Sequence, residues 1–253
     1  MNRAKVTLVG AGPGDPELIS VKGVKALSKA DVVLYDALVH PDLLDYAPSH
    51  STRVFVGKRA GKHSYNQTQI NQLIVDYALW EGHVVRLKGG DPFVFARGKE
   101  ELEYAEAFGI ETAVVLGISS INLPGHYGIP LTRRGVNESF WVVTATTQNG
   151  ALSKDVAVAA QSDATVVLLM GLRKLPEITS IFRKQGKADL PIAVISKGSL
   201  KDGRVVFGRI ENIVEQVTQA GIETPALIVA GEAVGTHDRF YEHATELKAN
   251  FLK

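Results

Sequence analysis

Short β-branched runs alternate with longer amphipathic stretches along the whole of this sequence, and that rhythm confines the chain to α/β architectures. In the first half the strand candidates are residues 6–9, 32–35, 54–56, 84–87 and 112–116. Each is short and apolar, and most run into Gly, Asp or a Gly-bearing turn, as strands buried on both faces of a parallel sheet do. The clearest helical pattern starts at Asn66, an N-cap residue with Gln69 three positions on. It sets Ile70, Leu73, Ile74, Tyr77 and Ala78 along one face before Gly82 stops it. A weaker helix over 18–30 carries Gly23 at a cost of about 1 kcal/mol relative to Ala, and another spans 99–108.

The second half repeats the rhythm, with strands predicted at 140–144, 165–170, 192–196, 205–207 and 226–229 and helices near 154–160, 174–185 and 210–220. The strand at 205–207 follows its predecessor after a short Gly-bearing turn, which fits an antiparallel hairpin. Between the halves, Gly128-Ile-Pro-Leu-Thr-Arg-Arg-Gly135 is rich in breakers and charge, and the linker is placed there. The expected architecture is two α/β domains, 1–133 and 134–253, with the ligand site in the cleft between them.

Composition removes several function classes. With 28 Lys and Arg against 27 Asp and Glu, no whole-chain field draws the protein to nucleic acid or anionic lipid. The absence of cysteine excludes disulfides, thiolate metal sites and a cysteine nucleophile. The histidines are scattered, with no pair at i, i+4, so no metal is expected. No apolar run approaches the roughly 18–20 residues of a membrane span, and the first strand begins without a signal-peptide core, so a cytoplasmic protein is expected.

Two turns carry the chemistry. The first, Gly10-Ala-Gly-Pro-Gly-Asp15-Pro16, follows the opening strand and imitates a dinucleotide fingerprint, with Asp36 about 20 residues on as the ribose acid. Asp15 occupies the place of the third glycine and would repel a phosphate, while Pro13 and Pro16 remove amide donors. A neutral or cationic ligand suits this turn better. The second, Arg86-Leu-Lys-Gly-Gly-Asp-Pro-Phe93, again ends a strand in glycines, an acid and a proline, and leads through Val94 and Arg97 into a helix. Turns of this type at strand ends of one sheet face each other where open α/β sheets bind ligands. Gly57-Lys58-Arg59-Ala-Gly61-Lys62-His63-Ser64, with Arg97, Arg133 and Arg134, supplies the cations for a small anion-binding patch.

Together with Val32-Val-Leu-Tyr-Asp36 and Gly128-Ile-Pro-Leu-Thr132, these segments occur in an order and spacing that resemble the tetrapyrrole methylase family, and within it the members acting on uroporphyrinogen III. The likeness runs from about Val6 to Phe240. It implies a homodimer of two-domain α/β chains. It also implies S-adenosyl-L-methionine as methyl donor, S-adenosyl-L-homocysteine as product, and methylation of uroporphyrinogen III through precorrin-1 to precorrin-2, a precursor of siroheme and cobalamin. By the same resemblance the cofactor contacts are Pro13, Gly89, Gly90, Asp91, Val94, Ser119, Ser120, Met170, Gly198 and Ala226. Asp36 and Lys58 correspond to a proton acceptor and a proton donor. Arg97, Glu100 and Met170 correspond to substrate contacts, and Arg97 is a second candidate for the proton-accepting task.

The residue types suit that chemistry. An acid such as Asp91 tolerates a sulfonium, glycines let backbone carbonyls approach it, and Lys58, Arg59, Arg97 and Arg133 match a polycarboxylate acceptor. The sequence departs from the family at Leu116, Ala96, Lys99, Ile121–Gly125 and Ala145-Thr146, around the expected mouth of the site. Two other readings stay open at this level. One is an NAD(P)-dependent oxidoreductase, from the first turn and Asp36; the other is a non-catalytic tetrapyrrole or nucleotide sensor, from the departures.

Overall fold

The computed structural model describes residues 4–57 and 65–240. Its contacts divide the chain into two compact units, Met1–Ser120 and Ile121–Lys253, each built on a five-stranded sheet. The expected division after residue 133 falls inside the second unit, because the breaker-rich segment is packed. Ile129 is buried with Leu123, Val167, Ile195 and Val229, and Asn137 donates to the carbonyls of Leu131 and Ser139 while accepting from the Arg133 amide. Glycine and proline there mark irregular backbone rather than a break in packing.

In the first unit the order is β1 (Lys5–Gly10), α1 (Val21–Leu27), β2 (Val32–Tyr35), β3 (Thr52–Phe55), α2 (Gln67–Trp80), β4 (His83–Lys88), α3 (Gly98–Ala107) and β5 (Glu111–Val115). The sheet is parallel, in the order β3-β2-β4-β1-β5. One face sets Val6, Leu8, Leu34 and Val84 against Ile70 and Ile74 of α2 and Leu102 of α3. The other packs Val9, Val33, Val85 and Leu87 against Leu27 of α1 and Leu43 of a short 3-10 turn, Pro41–Tyr46. Apolar residues on both faces explain why these strands read as continuous runs. The capping box anticipated at Asn66 forms, with Asn66 accepting from the Gln69 amide at 2.9 Å and Gln69 accepting from the Asn66 amide at 2.9 Å. The weaker helix is shorter than expected because Ser20 caps it, accepting from the Gly23 amide.

The second unit runs α4 (Leu123–His126), β6 (Phe140–Thr144), α5 (Asp155–Gln161), β7 (Thr165–Leu169), α6 (Leu175–Lys184), β8 (Pro191–Ser196), β9 (Arg204–Arg209), α7 (Ile213–Gln219) and β10 (Ala226–Ala230). Its sheet has the order β6-β7-β10-β8-β9. β8 and β9 form the expected hairpin. β6 and β7 are parallel, but β10 enters between β7 and β8 antiparallel to both, which makes this sheet mixed. Val156, Ile178, Phe182 and Ile213 of the helices cover one face. Leu123, Ile129 and Val234 cover the other.

Candidate functional site

In the first unit the expected residues collect at the carboxyl ends of the parallel strands: Pro13 after β1, Asp36 after β2, Gly89–Asp91 after β4, and Ser119 and Ser120 after β5. This is the edge at which open α/β sheets place ligands. The two proline-bearing turns meet there. Gly12 and Gly90 pair across them, the Gly12 amide donating to the Gly90 carbonyl at 3.3 Å and the Gly90 amide to the Gly12 carbonyl at 2.7 Å. The β5 turn closes onto the same point. A Cβ on Gly117 would stand 2.2 Å from the Gly90 carbonyl oxygen and 2.6 Å from Gly10 Cα, so only glycine allows three backbone segments to cross here. Gly90 itself has φ +70 with nothing nearer to an added Cβ than Ser119 Cα at 4.0 Å, so the side of the turn away from the crossing is open.

Asp91 fastens this crossing. One carboxylate oxygen accepts from the Phe93 amide at 2.8 Å and the other from the Gly117 amide at 3.0 Å, and the residue is buried. The sequence reading set this carboxylate against a cationic ligand. In the structure each of its oxygens accepts one backbone amide, so the same carboxylate also fixes the turns. Asp15 likewise caps a short turn, accepting from the Glu17 amide. The turns Gly10–Asp15 and Gly89–Phe93 contain prolines, glycines and carboxylates and no cationic side chain. Such a lining fits a sulfonium donor and fits a pyrophosphate poorly.

Arg97 opens α3 in the left-handed region, φ 58, two residues after Phe95 at φ 53. Non-glycine residues held there store strain, and strain of that kind gathers at functional turns. The Arg97 side chain is exposed and lies 3.8 Å from Glu100. Asp36 accepts from the Leu38 amide at 3.0 Å and the Gly89 amide at 3.4 Å, so it is tied to the second turn. Val94 is half-buried in the segment between Asp91 and α3. Lys58 and Arg59, with Lys62, His63 and Ser64, lie outside the described residues.

Below the turns is a charged cluster outside the expected site residues. Lys88 donates to both Glu101 oxygens at 2.8 Å. Arg86 Nε lies 3.4 Å from Glu101, and its NH2 lies 3.8 Å from Asp36. Arg86, Lys88 and Glu101 are all buried. Burial, followed by the charge of Arg86, pushes the Lys88 ammonium below its ordinary 10.5, while Glu101 and Asp36 hold it up. A signal was present in the sequence. Arg86 and Lys88 stand two apart in an apolar strand and so share a face, and a buried face carrying two cations demands an anion.

In the second unit Met170 follows β7, Gly198 follows β8 and Ala226 begins β10. The ladders pair Leu227 with Leu169 and Ala226 with Ser196, and the Lys197 amide donates to the Pro225 carbonyl at 3.0 Å. The three therefore stand at one end of this sheet. Met170 has φ 55 and is 54% exposed, and its carbonyl accepts from the Thr146 hydroxyl at 2.7 Å. Gly198 is buried, with Ile195 Cγ2 2.7 Å from where a Cβ would be. Arg133 donates to the Thr236 carbonyl at 3.4 Å.

Among the described residues no group of His, Asp or Glu could hold a metal ion, and no helix is long and apolar enough to cross a membrane.

A family model described as Tetrapyrrole (Corrin/Porphyrin) Methylases matches residues 5–214. The chain is 44% identical over 237 residues to a Methanocaldococcus jannaschii protein named uroporphyrinogen-III C-methyltransferase, covering 92% of this chain and 98% of that one. It is 42% identical over 235 residues to a Psychrobacter cryohalolentis siroheme synthase, spanning 92% of this chain and 45% of that longer protein. The crystal structure of uroporphyrin-III C-methyl transferase from Thermus thermophilus, complexed with S-adenyl homocysteine, superposes with a TM-score of 0.78 at 36% identity, covering 91% of this chain and 98% of that one.

Proposed function

The chain belongs to the tetrapyrrole methylase family, and from that premise we propose that it is the S-adenosyl-L-methionine-dependent C-methyltransferase acting on uroporphyrinogen III. It adds methyl groups at successive pyrrole carbons, through precorrin-1 to precorrin-2, and feeds siroheme- and cobalamin-type tetrapyrrole synthesis. The observation that carries the reading is the pairing of Gly12 with Gly90, which joins two cation-free turns at the carboxyl edge of a parallel sheet.

Pro13, Gly89, Gly90, Asp91, Val94, Ser119 and Ser120 are the first unit's residues for holding the cofactor, with Met170, Gly198 and Ala226 from the second. Bound, the cofactor supplies a methyl activated by a sulfonium for in-line attack by a pyrrole carbon, and the protein's part is alignment. Arg97 pairs with substrate carboxylates by charge-assisted bonds, and Glu100 and Met170 are the other substrate contacts. Asp36, held by the Leu38 and Gly89 amides, takes the proton that the methylated macrocycle loses, and Lys58 stands at the position of a proton donor. An arginine is a poor proton acceptor because it stays protonated, which favours Asp36 over Arg97 for that task. The enzyme works as a homodimer in the cytoplasm.

Anaerobic incubation with uroporphyrinogen III and isotopically labelled S-adenosylmethionine tests the reading. Products one and then two methyl groups heavier, with S-adenosylhomocysteine released, are expected. Tetrapyrrole binding without mass change would replace the enzyme by a sensor, and tight NAD(H) binding without a homocysteine-cofactor effect would replace it by an oxidoreductase.

A further inference from the structure

We propose that Glu101 is a positioning residue for Asp36: by holding Lys88 and sharing Arg86, it sets how strongly the Arg86 guanidinium draws on the Asp36 carboxylate. The inference rests on the reading above that Asp36 receives the proton.

The argument begins with charge. Arg86 and Lys88 on one face of β4 bring two cations into a buried layer, and the carboxylates the structure sets against them are Glu101 of α3 and Asp36 after β2. Glu101 is 1% exposed, and every contact the structure gives its carboxylate is to a donor: Lys88 twice at 2.8 Å, Arg86 Nε at 3.4 Å and the Gln67 amide at 3.2 Å. Asp36 is the partly exposed member of the set, 26% accessible, and the one at the ligand edge of the sheet. Arg86 lies between the two carboxylates, Nε toward Glu101 and NH2 toward Asp36, with NH1 also donating to the Leu87 carbonyl at 3.0 Å. Arg86 cannot shed its charge, so it must divide that charge between the anions available.

The consequence is directional. If Glu101 loses its charge, the field of Arg86 and Lys88 falls on Asp36 alone. Its carboxylate is then held more tightly as the anion and becomes a weaker base. If Lys88 loses its charge instead, Glu101 reclaims Arg86 and Asp36 becomes a stronger base. Removing both charges restores neutrality. Among the described residues, the charged groups set around Asp36 are Arg86 and Lys88 of β4 with Glu101 of α3 behind them; Leu38 and Gly89 contribute only amides. Glu101 also sits one turn after Arg97 and donates its amide to the Arg97 carbonyl, so the same residue ties the substrate-facing turn to β4.

The test uses the full chain with carboxyl-13C-labelled aspartate, the Asp36 signal being identified by its loss in Asp36→Asn. Titration of that signal is read beside the pH profile of kcat. In Glu101→Gln the Asp36 midpoint and the acid limb of kcat should both move down, with kcat falling about tenfold and S-adenosylhomocysteine affinity by calorimetry within about threefold of wild type. In Lys88→Met both should move up. In the double variant both should return to within a few tenths of wild type. Midpoints unmoved in the folded single variants, or a double variant no closer to wild type than Glu101→Gln, would overturn the proposal. If Glu101→Gln does not fold, the upward shift in Lys88→Met, a side chain of similar length, decides alone. Asp36→Asn keeps the two questions apart: wild-type turnover there would end the catalytic assignment of Asp36, while the titration would still report the coupling.

Discussion

Replacing Asp91 by Asn changes one atom in shape and two interactions in energy. The carboxylate accepts from the Phe93 amide at 2.8 Å and the Gly117 amide at 3.0 Å in a buried setting. The amide can still accept one of these bonds, but its NH2 must face the other N–H, donor against donor. Hydrogen bonds to a charged group contribute about 1.5–3 kcal/mol each, and a buried donor left unpaired costs about 1–3 kcal/mol. Part of the first bond's charge assistance is lost as well, and the chain relaxes to relieve some of the second, giving a net loss of about 2–4 kcal/mol. At about 2–4 °C per kcal/mol for a chain of this size, the ligand-free protein should melt roughly 5–15 °C lower. Scanning calorimetry at pH 7 measures it. Because the same bonds fix the crossing of Gly10, Gly90 and Gly117, affinity for S-adenosylhomocysteine should fall by more than tenfold, over about 1.4 kcal/mol. A melting point within about 2 °C of wild type would refute the claim that this carboxylate holds the turns together.

Other perturbations follow from the same geometry. Gly117→Ala places a methyl 2.2 Å from the Gly90 carbonyl, against backbone that must move; calorimetry should show S-adenosylhomocysteine affinity reduced at least about tenfold, and unchanged affinity would take these turns out of the cofactor site. Arg97→Ala should abolish most turnover in the anaerobic assay while leaving cofactor affinity within about threefold, since its exposed guanidinium, 3.8 Å from Glu100, is assigned to the substrate and not to the cofactor turns; full activity would remove it from that site. For Lys88 the sign follows from its lowered pKa: between its folded value and 10.5 the unfolded chain binds more protons, so its contribution to stability rises with pH across that window and is lost as pH falls through it. Melting curves between neutral pH and pH 10 should therefore rise less in Lys88→Met than in wild type, and parallel curves would contradict the direction.

Features encoded over a few residues were legible in the sequence. The capping box at Asn66 and Gln69 closes on itself within one turn, so residue identity was enough to foresee it. The first unit's strands announced themselves because burial on both faces makes their runs largely apolar, the buried Arg86 and Lys88 of β4 excepted. The two turns were visible because glycine, proline and aspartate act on their own backbone, and the structure joins them as expected at Gly12 and Gly90. What the sequence could not supply was pairing at a distance. The reversed direction of β10 is settled by ladders to residues far along the chain, and its apolar run would look the same either way round. Glu101 stands among Glu100 and Glu103 on an outwardly polar helix, and nothing local separates it from its exposed neighbours; only the packing of α3 over β4 brings it onto Lys88. That Asp91 also fastens the turns, through the Phe93 and Gly117 amides, only the folded chain shows. Propensity and turn chemistry act over a handful of residues and can be read directly, whereas the partner of a buried charge is chosen by whatever the completed fold places within about 3 Å of it.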